Sequence, residues 1–278
     1  MSWGLIFATT KIFHFSHALT LTVAVYAAVV AVSAWGLALP LGFGVAAAVG
    51  CVVGVGTELL LYRPLRRVQA TQLNIFLASL GLLIAGQSAV LVAFGPQARA
   101  LEGFPMRGIE LGPVAFTTIE ALWLVAAWVL IGALMAWLWS SRQGLAIRAV
   151  ASNPELAQCV GVEHGRVFLL VFAVGSALVG LGGALLALRD TASPTMGVHP
   201  VLAAFIAVFL GGIGSIPGAM LGGMLLGLIE SLASGYIGDL TGGVLGSNYR
   251  DIFAFLVLIL VLVLRPSGLM GQHTSERA

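Results

Sequence analysis

Seven apolar stretches, each close to the roughly 20 residues that a helix needs to cross hydrocarbon, constrain this chain more than any other feature. They read as spans near residues 18–38, 42–61, 73–94, 118–139, 167–188, 217–234 and 251–264. Hydrocarbon offers no water to backbone N–H and C=O groups, so runs of this length must satisfy those groups internally, as helices. Two further segments are less regular. Residues 2–10 are apolar but only half a helix long. Residues 201–213 reach only about 20 Å at 1.5 Å per residue, so that element is short, tilted or re-entrant. The expected fold is all-α: a polytopic transmembrane bundle of about eight spans plus an N-terminal half-helix, one permease-sized domain over 1–278.

Composition supports a lipid-covered surface. Of 278 residues, 59% are hydrophobic and 9% charged, against about 25% charged in a soluble domain. The 36 glycines fit helices that approach closely within a membrane. A net charge of +2 argues against a nucleic-acid footprint. Cys51 and Cys159 have no C-x-x-C spacing, so neither a disulfide nor a metal framework is read from them. The start has no basic stretch and no small-residue cleavage site, and reads as a helix joined midway rather than a signal peptide.

Basic residues in short loops give the orientation. Lys11, the cluster Arg63, Arg66 and Arg67, then Arg142, Arg148, Arg166, Arg265 and Arg277 make nine of the 13 Lys and Arg. Placed together on the cytoplasmic side, they put the C-terminus there too. The other four (Arg99, Arg107, Arg189 and Arg250) share the outer loops with Glu102, Glu110, Asp190 and Asp251. The sides alternate without conflict only if 201–213 counts as a crossing.

The most polar inner stretch is 140–166. Asn153-Pro154-Glu155 is a good helix opening: Asn caps, Pro is tolerated at the first helical position, and Glu favours the positive end of the dipole. Gly161 suits the stop. A short helix over about 154–160 follows, either inside a passive connecting loop or as a rigid knob that a motor subunit grips.

Resemblance favours the knob. The stretch GLAIRAVASNPELAQCVGV resembles the cytoplasmic loop of the branched-chain amino acid ABC permeases, with matches at Gly144, Arg148, Ala149, Asn153, Ala157 and Gly161. AFIAVFLGGIGSIPGAMLGGMLLGLIES at 204–231 resembles a second motif of that family. HFSHALTLTVAVYAA at 14–28 resembles a third, with His14 in place of an Asn, and RPSGLMG at 265–271 fits the family's ending. Most of the family's first helix has no counterpart ahead of residues 2–10. The resemblance implies the membrane subunit of an importer in a bacterial inner membrane. It would work with two ATP-binding cassette subunits, a second homologous or identical permease subunit, a solute-binding protein and the surrounding lipid, and without nucleic acid. The solute would be a branched-chain amino acid, another amino acid or urea. It makes Gly144, Arg148, Ala149, Asn153, Glu155, Ala157 and Gly161 candidates for coupling to the ATPase.

Candidates for the translocation pathway are His17, Phe205, Gly211, Gly212, Gly214 and Ser215. The glycines, with Pro217 and Gly218, interrupt an apolar hairpin, and irregular backbone at membrane depth survives only where protein buries it or water wets it. The same residues also suit a tight turn with glycines for packing. Glu58 and Glu230 each close a Gly-rich apolar span and read as structural pairs or snorkelling acids, in two spans that hint at an inverted repeat. His14 and His17 lack further metal ligands and read as interfacial packing.

Chemistry of its own is not expected. Lys11 is the only lysine and lies in Thr-Lys-Ile, so no phosphate-binding loop exists and ATP must be bound by partners. No cofactor, metal or catalytic constellation is read. An ion-coupled secondary transporter is the alternative, but it would want acids or Asn/Ser clusters at mid-span, where this chain has Leu, Val, Ala, Gly and Phe.

Overall fold

The computed structural model describes residues 1–101, 107–111, 114–212, 214–240, 250–265 and 267–270. Its elements in chain order begin with α1 (Ser2–Thr10), α2 (His17–Ser33), α3 (Leu39–Arg67) and α4 (Gln72–Phe94). A hairpin of β1 (Gly108–Leu111) and β2 (Val114–Thr117) precedes α5 (Thr118–Ser140), α6 (Arg142–Ser152), α7 (Pro154–Cys159) and α8 (His164–Leu186). The last elements are α9 (Val198–Gly211), α10 (Ile216–Leu240) and α11 (Arg250–Leu264). Among the described residues, five helices are long and apolar enough to cross a membrane: α3, α4, α5, α8 and α10 over Ile216–Ala233. Three shorter apolar helices, His17–Ser33, Val198–Gly211 and Ile252–Leu264, stand where the remaining spans were expected, and α1 is the half-helix. The transmembrane helical bundle is therefore as the sequence predicts.

Two differences have physical causes. The span expected at 42–61 is longer than read: the helix runs on through Pro64 to Arg67. Pro64 has no N–H, and its ring crowds the carbonyl four residues back. The turn Glu58–Tyr62 is wound as a π-helix, with Arg63 N–H reaching the Glu58 carbonyl, which absorbs that misfit without breaking the rod. The β-hairpin was not expected; it pairs Gly108 with Thr117 and Leu111 with Val114 in antiparallel register. Where it ends, Thr117 opens α5 through a reciprocal capping box with Glu120.

The chain divides into two compact units. The larger holds Ser2 and Thr9–Val198. Its centre is α2, with twelve of 17 residues buried, and α3 and α8 cross against α2 and each other through small residues. Ala46, Gly50 and Gly54 repeat every four residues on α3 and meet Ser176 and Gly180 of α8. A Cβ at Gly54 would stand 2.9 Å from the Phe172 carbonyl and overlap the Ser176 side chain. Ala24, Ala28, Ala46 and Ala184 complete the seam. Lipid tails are as apolar as leucine, so helices in a membrane gain little from hydrophobic contact alone and rely on this close approach.

The smaller unit holds Met1, Trp3–Ala8 and the chain from His199 onward. Ile206, Ala207, Leu226, Ala254 and Leu258 form its core. Trp3 stacks on Phe7 at 5.2 Å and meets Phe205 edge-on at 5.7 Å. The N–H groups of Leu269 and Met270 donate to the Leu210 and Gly211 carbonyls at 3.0 and 2.8 Å, pinning the segment after α11 to the end of α9.

The seam predicts a contrast between two glycines of one helix. Gly54→Leu should lower the stability of the detergent-purified protein by at least about 1–3 kcal/mol, the usual cost of overpacking. Gly56→Ala, whose Cβ would meet nothing within 4 Å, should leave it unchanged. Thermal unfolding of both variants is the measurement.

Candidate functional site

The polar segment after α5 folds into two capped helices set at a corner. Ser141 opens α6 by accepting the Gly144 N–H on its hydroxyl at 2.9 Å. Gly144 lies so close to the Leu138 backbone that a side chain would collide with it. Ile147 and Val150 are buried, and the Arg148 guanidinium lies 4.3 Å from the centre of the Trp139 ring. Asn153 makes the corner. Its N–H donates to the Ala149 carbonyl at 3.0 Å, ending α6, and its Oδ1 accepts the Leu156 N–H at 3.0 Å, opening α7. Pro154 then takes the first helical position and Glu155 the first turn. Gly161, at φ +86°, closes the helix. Its N–H donates to Gln158 and the Val162 N–H donates to Ala157, both at 3.0 Å, in the paired pattern that glycine ends favour.

The candidate coupling residues thus lie along one two-helix corner, but they divide by role. Asn153, Glu155 and Gly161 are exposed, Gly144 is buried, and Arg148 is held flat by its tryptophan. Ala157 is only 3% exposed: it anchors α7 from inside instead of offering a contact surface. Sequence reasoning missed α6, and it missed the surface that α7 presents. Leu156 and Val160, four residues apart, are 64% and 79% exposed, and Leu145 of α6 is exposed too. The signal was three aliphatic residues in the most polar stretch of the chain without the pattern of a span.

From this corner a ladder of side chains follows one face of α8. His164 Nε2 donates to the Pro154 carbonyl at 2.8 Å, joining the start of α8 to α7. One turn on, Phe168 packs against the His164 ring and lies beneath the Arg66 guanidinium at 4.7 Å. Another turn on, Phe172 touches Tyr62 at 5.4 Å and His14 at 5.0 Å. Arg66 also forms an ion pair with Glu58, whose side chain is buried. The π-turn therefore places both Glu58 and Tyr62 on the inner face of α3.

A buried polar cluster surrounds that turn. Tyr62 Oη and His14 Nδ1 are 2.7 Å apart, and the Ser16 hydroxyl lies 3.1 Å from that nitrogen and 3.2 Å from Tyr62 Oη. The Ser16 N–H donates to Ser79 Oγ of α4 at 3.0 Å. His17, with its ring 5.0 Å from His14, meets the Ser2 hydroxyl at 2.9 Å through Nε2. His14 and His17 are thus interior hydrogen-bonding groups and not the interfacial packing expected of them. Tyr62, Ser16 and Ser79 were not anticipated. The arrangement donates and accepts hydrogen bonds in the interior of the larger unit.

The other pathway candidates lie in the smaller unit, at the turn between α9 and α10. Gly212 and Gly214 have φ of +116° and +86°, a region open chiefly to glycine. A side chain at Gly211 would overlap the Gly218 carbonyl. Ser215 Oγ accepts the Gly218 N–H at 3.0 Å and caps α10. Phe205 packs 4.5 Å from Phe209. Every one of these residues has a packing or turning role in the hairpin, and Glu230 lines a small cavity beside His199 in the same unit.

The sequence matches the family model for the permease component of branched-chain amino acid transport systems over residues 1–262. It is 32% identical to the high-affinity branched-chain amino acid transport system permease protein LivH of Escherichia coli over 242 residues, 85% of this chain and 75% of that protein. Against the corresponding permease protein BraD of Pseudomonas aeruginosa it is 32% identical over 230 residues, 81% of this chain and 72% of the relative. A probable branched-chain amino acid permease, LivH of Methanocaldococcus jannaschii, is 27% identical over 274 residues, 96% of this chain and 85% of the relative. No solved structure matches.

The buried cluster predicts that Tyr62→Phe, which removes one oxygen, leaves His14 Nδ1 without its 2.7 Å partner. The Ser16 hydroxyl stays 3.1 Å from that nitrogen, so the expected cost is that of one lost hydrogen bond, about 0.5–1.5 kcal/mol. Tyr236→Phe, at an exposed ring, should cost nothing measurable. Denaturation of the two purified variants side by side is the check.

Proposed function

This chain belongs to the branched-chain amino acid transport permease family, and from that premise we propose that it is the membrane-spanning subunit of an ATP-driven importer of leucine, isoleucine, valine or a similar small polar solute. Two ATP-binding cassette subunits, a second permease subunit and a solute-binding protein complete the machine. It sits in the bacterial inner membrane with its C-terminus in the cytoplasm, and ATP is bound by the partners, consistent with a chain whose single lysine lies outside any phosphate-binding loop.

The observation that carries this reading is the α6–α7 corner. A six-residue helix has too few internal hydrogen bonds to persist by itself, and α7 is closed by Asn153 at one end and Gly161 at the other. Such rigidity serves a knob that must transmit force. Its exposed Leu156 and Val160 offer an apolar contact for the ATPase, with Glu155 and Asn153 at the rim. Motion imposed on α7 passes through the His164–Pro154 hydrogen bond to α8. From there the Phe168 and Phe172 contacts deliver it to the π-turn and to the His14, Ser16 and Tyr62 cluster. A π-turn carries one residue more than an α-turn, and such turns recur at functional positions in helices. In this mechanism the turn is the element that yields. His17 belongs to the cluster that it moves. The residues Phe205, Gly211, Gly212, Gly214 and Ser215 remain pathway candidates through the irregular backbone that they form.

Replacing Leu156 with Asp tests the reading. Exposed on α7, this change should leave membrane insertion normal. It should reduce both co-purification of the ATPase subunits and uptake of labelled leucine by roughly tenfold or more, as at an interface hot spot. Asn153→Ala, which removes the shared cap at a cost of about 1 kcal/mol, should produce a milder form of the same defect. A passive loop would leave assembly and uptake at wild-type levels in both variants.

A further inference from the structure

In the larger unit, away from the α7 corner, α2 forms the floor of an open groove whose walls are α3 and α4. The groove has a volume of about 280 Å³. Val23 and Ala27 line its floor, Val49 stands on one wall, and Val90 and Phe94 on the other. The lining is aliphatic and aromatic except for Tyr26, whose ring stacks 4.7 Å from Phe94 and whose buried hydroxyl has no hydrogen-bond partner among the described residues. Trp35, 67% exposed, stands at one end. At the Phe94 end, the exposed Arg99 guanidinium lies 5.4 Å from the centre of that ring and donates to the Phe94 carbonyl at 3.2 Å. A backbone bridge to Ala192 fixes its position, and it forms no ion pair among the described residues.

We propose that this groove is a binding site for an anionic phospholipid, one acyl chain lying along α2 and the phosphate meeting Arg99. Two observations favour this occupant. The groove lies between helices that face the bilayer, and its rim carries a tryptophan and an arginine, the residue types that sit at the level of lipid headgroups. Charge complementarity runs in one direction only: a cation stands at the mouth, while the described lining residues include no carboxylate. A free amino acid would place its aliphatic body in the groove and its carboxylate on Arg99, but its ammonium would find no acid.

The physics also says where selectivity must come from. An acyl chain moving from bilayer to groove exchanges one apolar environment for another, so the tail gains only shape complementarity. Discrimination between lipids therefore rests on the guanidinium. One basic residue near a membrane surface supports a preference of about fivefold for an anionic over a zwitterionic headgroup. Lipid held here would bridge α3 and α4 through α2 and stiffen that side of the unit.

The test uses the full-length chain purified with the subunits that accompany it. It is equilibrated in detergent containing equal phosphatidylglycerol and phosphatidylethanolamine, and retained lipid is read by native mass spectrometry. Wild type should retain phosphatidylglycerol with about fivefold preference. Arg99→Gln should abolish that preference, Arg99→Lys should keep it, and Arg107→Gln, an exposed arginine of the β-hairpin, should not change it. Ala27→Phe, which fills the floor, should reduce retention of both lipids while Arg99 is intact. Excess inorganic phosphate should not displace the lipid; displacement would mean a simple anion site and overturn the proposal. It is equally overturned if the preference survives Arg99→Gln, or if labelled leucine is retained by wild type and lost with Ala27→Phe, which assigns the groove to solute.

Discussion

The contact between α3 and α8 decides what else the larger unit can do. In lipid, two helices have little reason to associate unless their backbones come close enough for van der Waals contact along their length. Ala46, Gly50 and Gly54 on one side, with Ser176 and Gly180 on the other, provide that approach. Because the spacing is four residues on both helices, the contact also fixes rotation about each axis. The face of α8 that carries Ser176 is, one turn at a time toward its start, the face of Phe172, Phe168 and His164. The seam that holds the helices together therefore also aims the aromatic ladder at the π-turn. Exchanging a small residue in the seam would rotate the ladder away as well as loosen the packing.

Polar groups inside this unit are few, and they are concentrated. Tyr62, His14, Ser16 and Ser79 bond to one another where three segments of chain meet: the stretch before α2, the π-turn of α3, and α4. In a low-dielectric interior such a network is worth most when fully satisfied and costs most when one member is displaced. It can thus discriminate sharply between two arrangements of the helices that contribute to it. Glu58 and Arg66 add a second coupled pair, with Arg66 shared between the Glu58 carboxylate and the Phe168 ring. Any movement of α8 that slides Phe168 must therefore be felt at Glu58.

Most of the fold was legible because the membrane imposes one rule, and apolar runs of span length obey it. The short helix at 154–160 was legible for a different reason: its cap, its proline and its closing glycine are local signals that need no tertiary context. What escaped reading depended on contacts distant in the chain. Ser16 meets Tyr62 across 46 residues and Ser79 across 63, and no local pattern links them. The span read at 42–61 ends with its apolar run, whereas a π-turn at Glu58–Tyr62 carries the helix past Pro64 to Arg67. Ala157 was read as a docking residue from its place in a motif, but only packing shows that it faces inward while Leu156 and Val160 face out. The glycines at 211–214 were seen as a break and are one, and their positive φ and close contacts account for each.

The central claim is that α7 is the surface that the ATPase grips, and a native residue reports on it. Cys159 is exposed in the last turn of α7, one residue before Val160, while Cys51 is only partly exposed, within α3. The measurement is the rate of maleimide labelling at Cys159 in the permease alone and in the assembled transporter, with Cys51 replaced by serine. The account predicts rapid labelling of the free chain and strong protection once the ATP-binding subunits are present. Equal labelling in the two states would contradict it, because a docked ATPase could not leave that turn of α7 open.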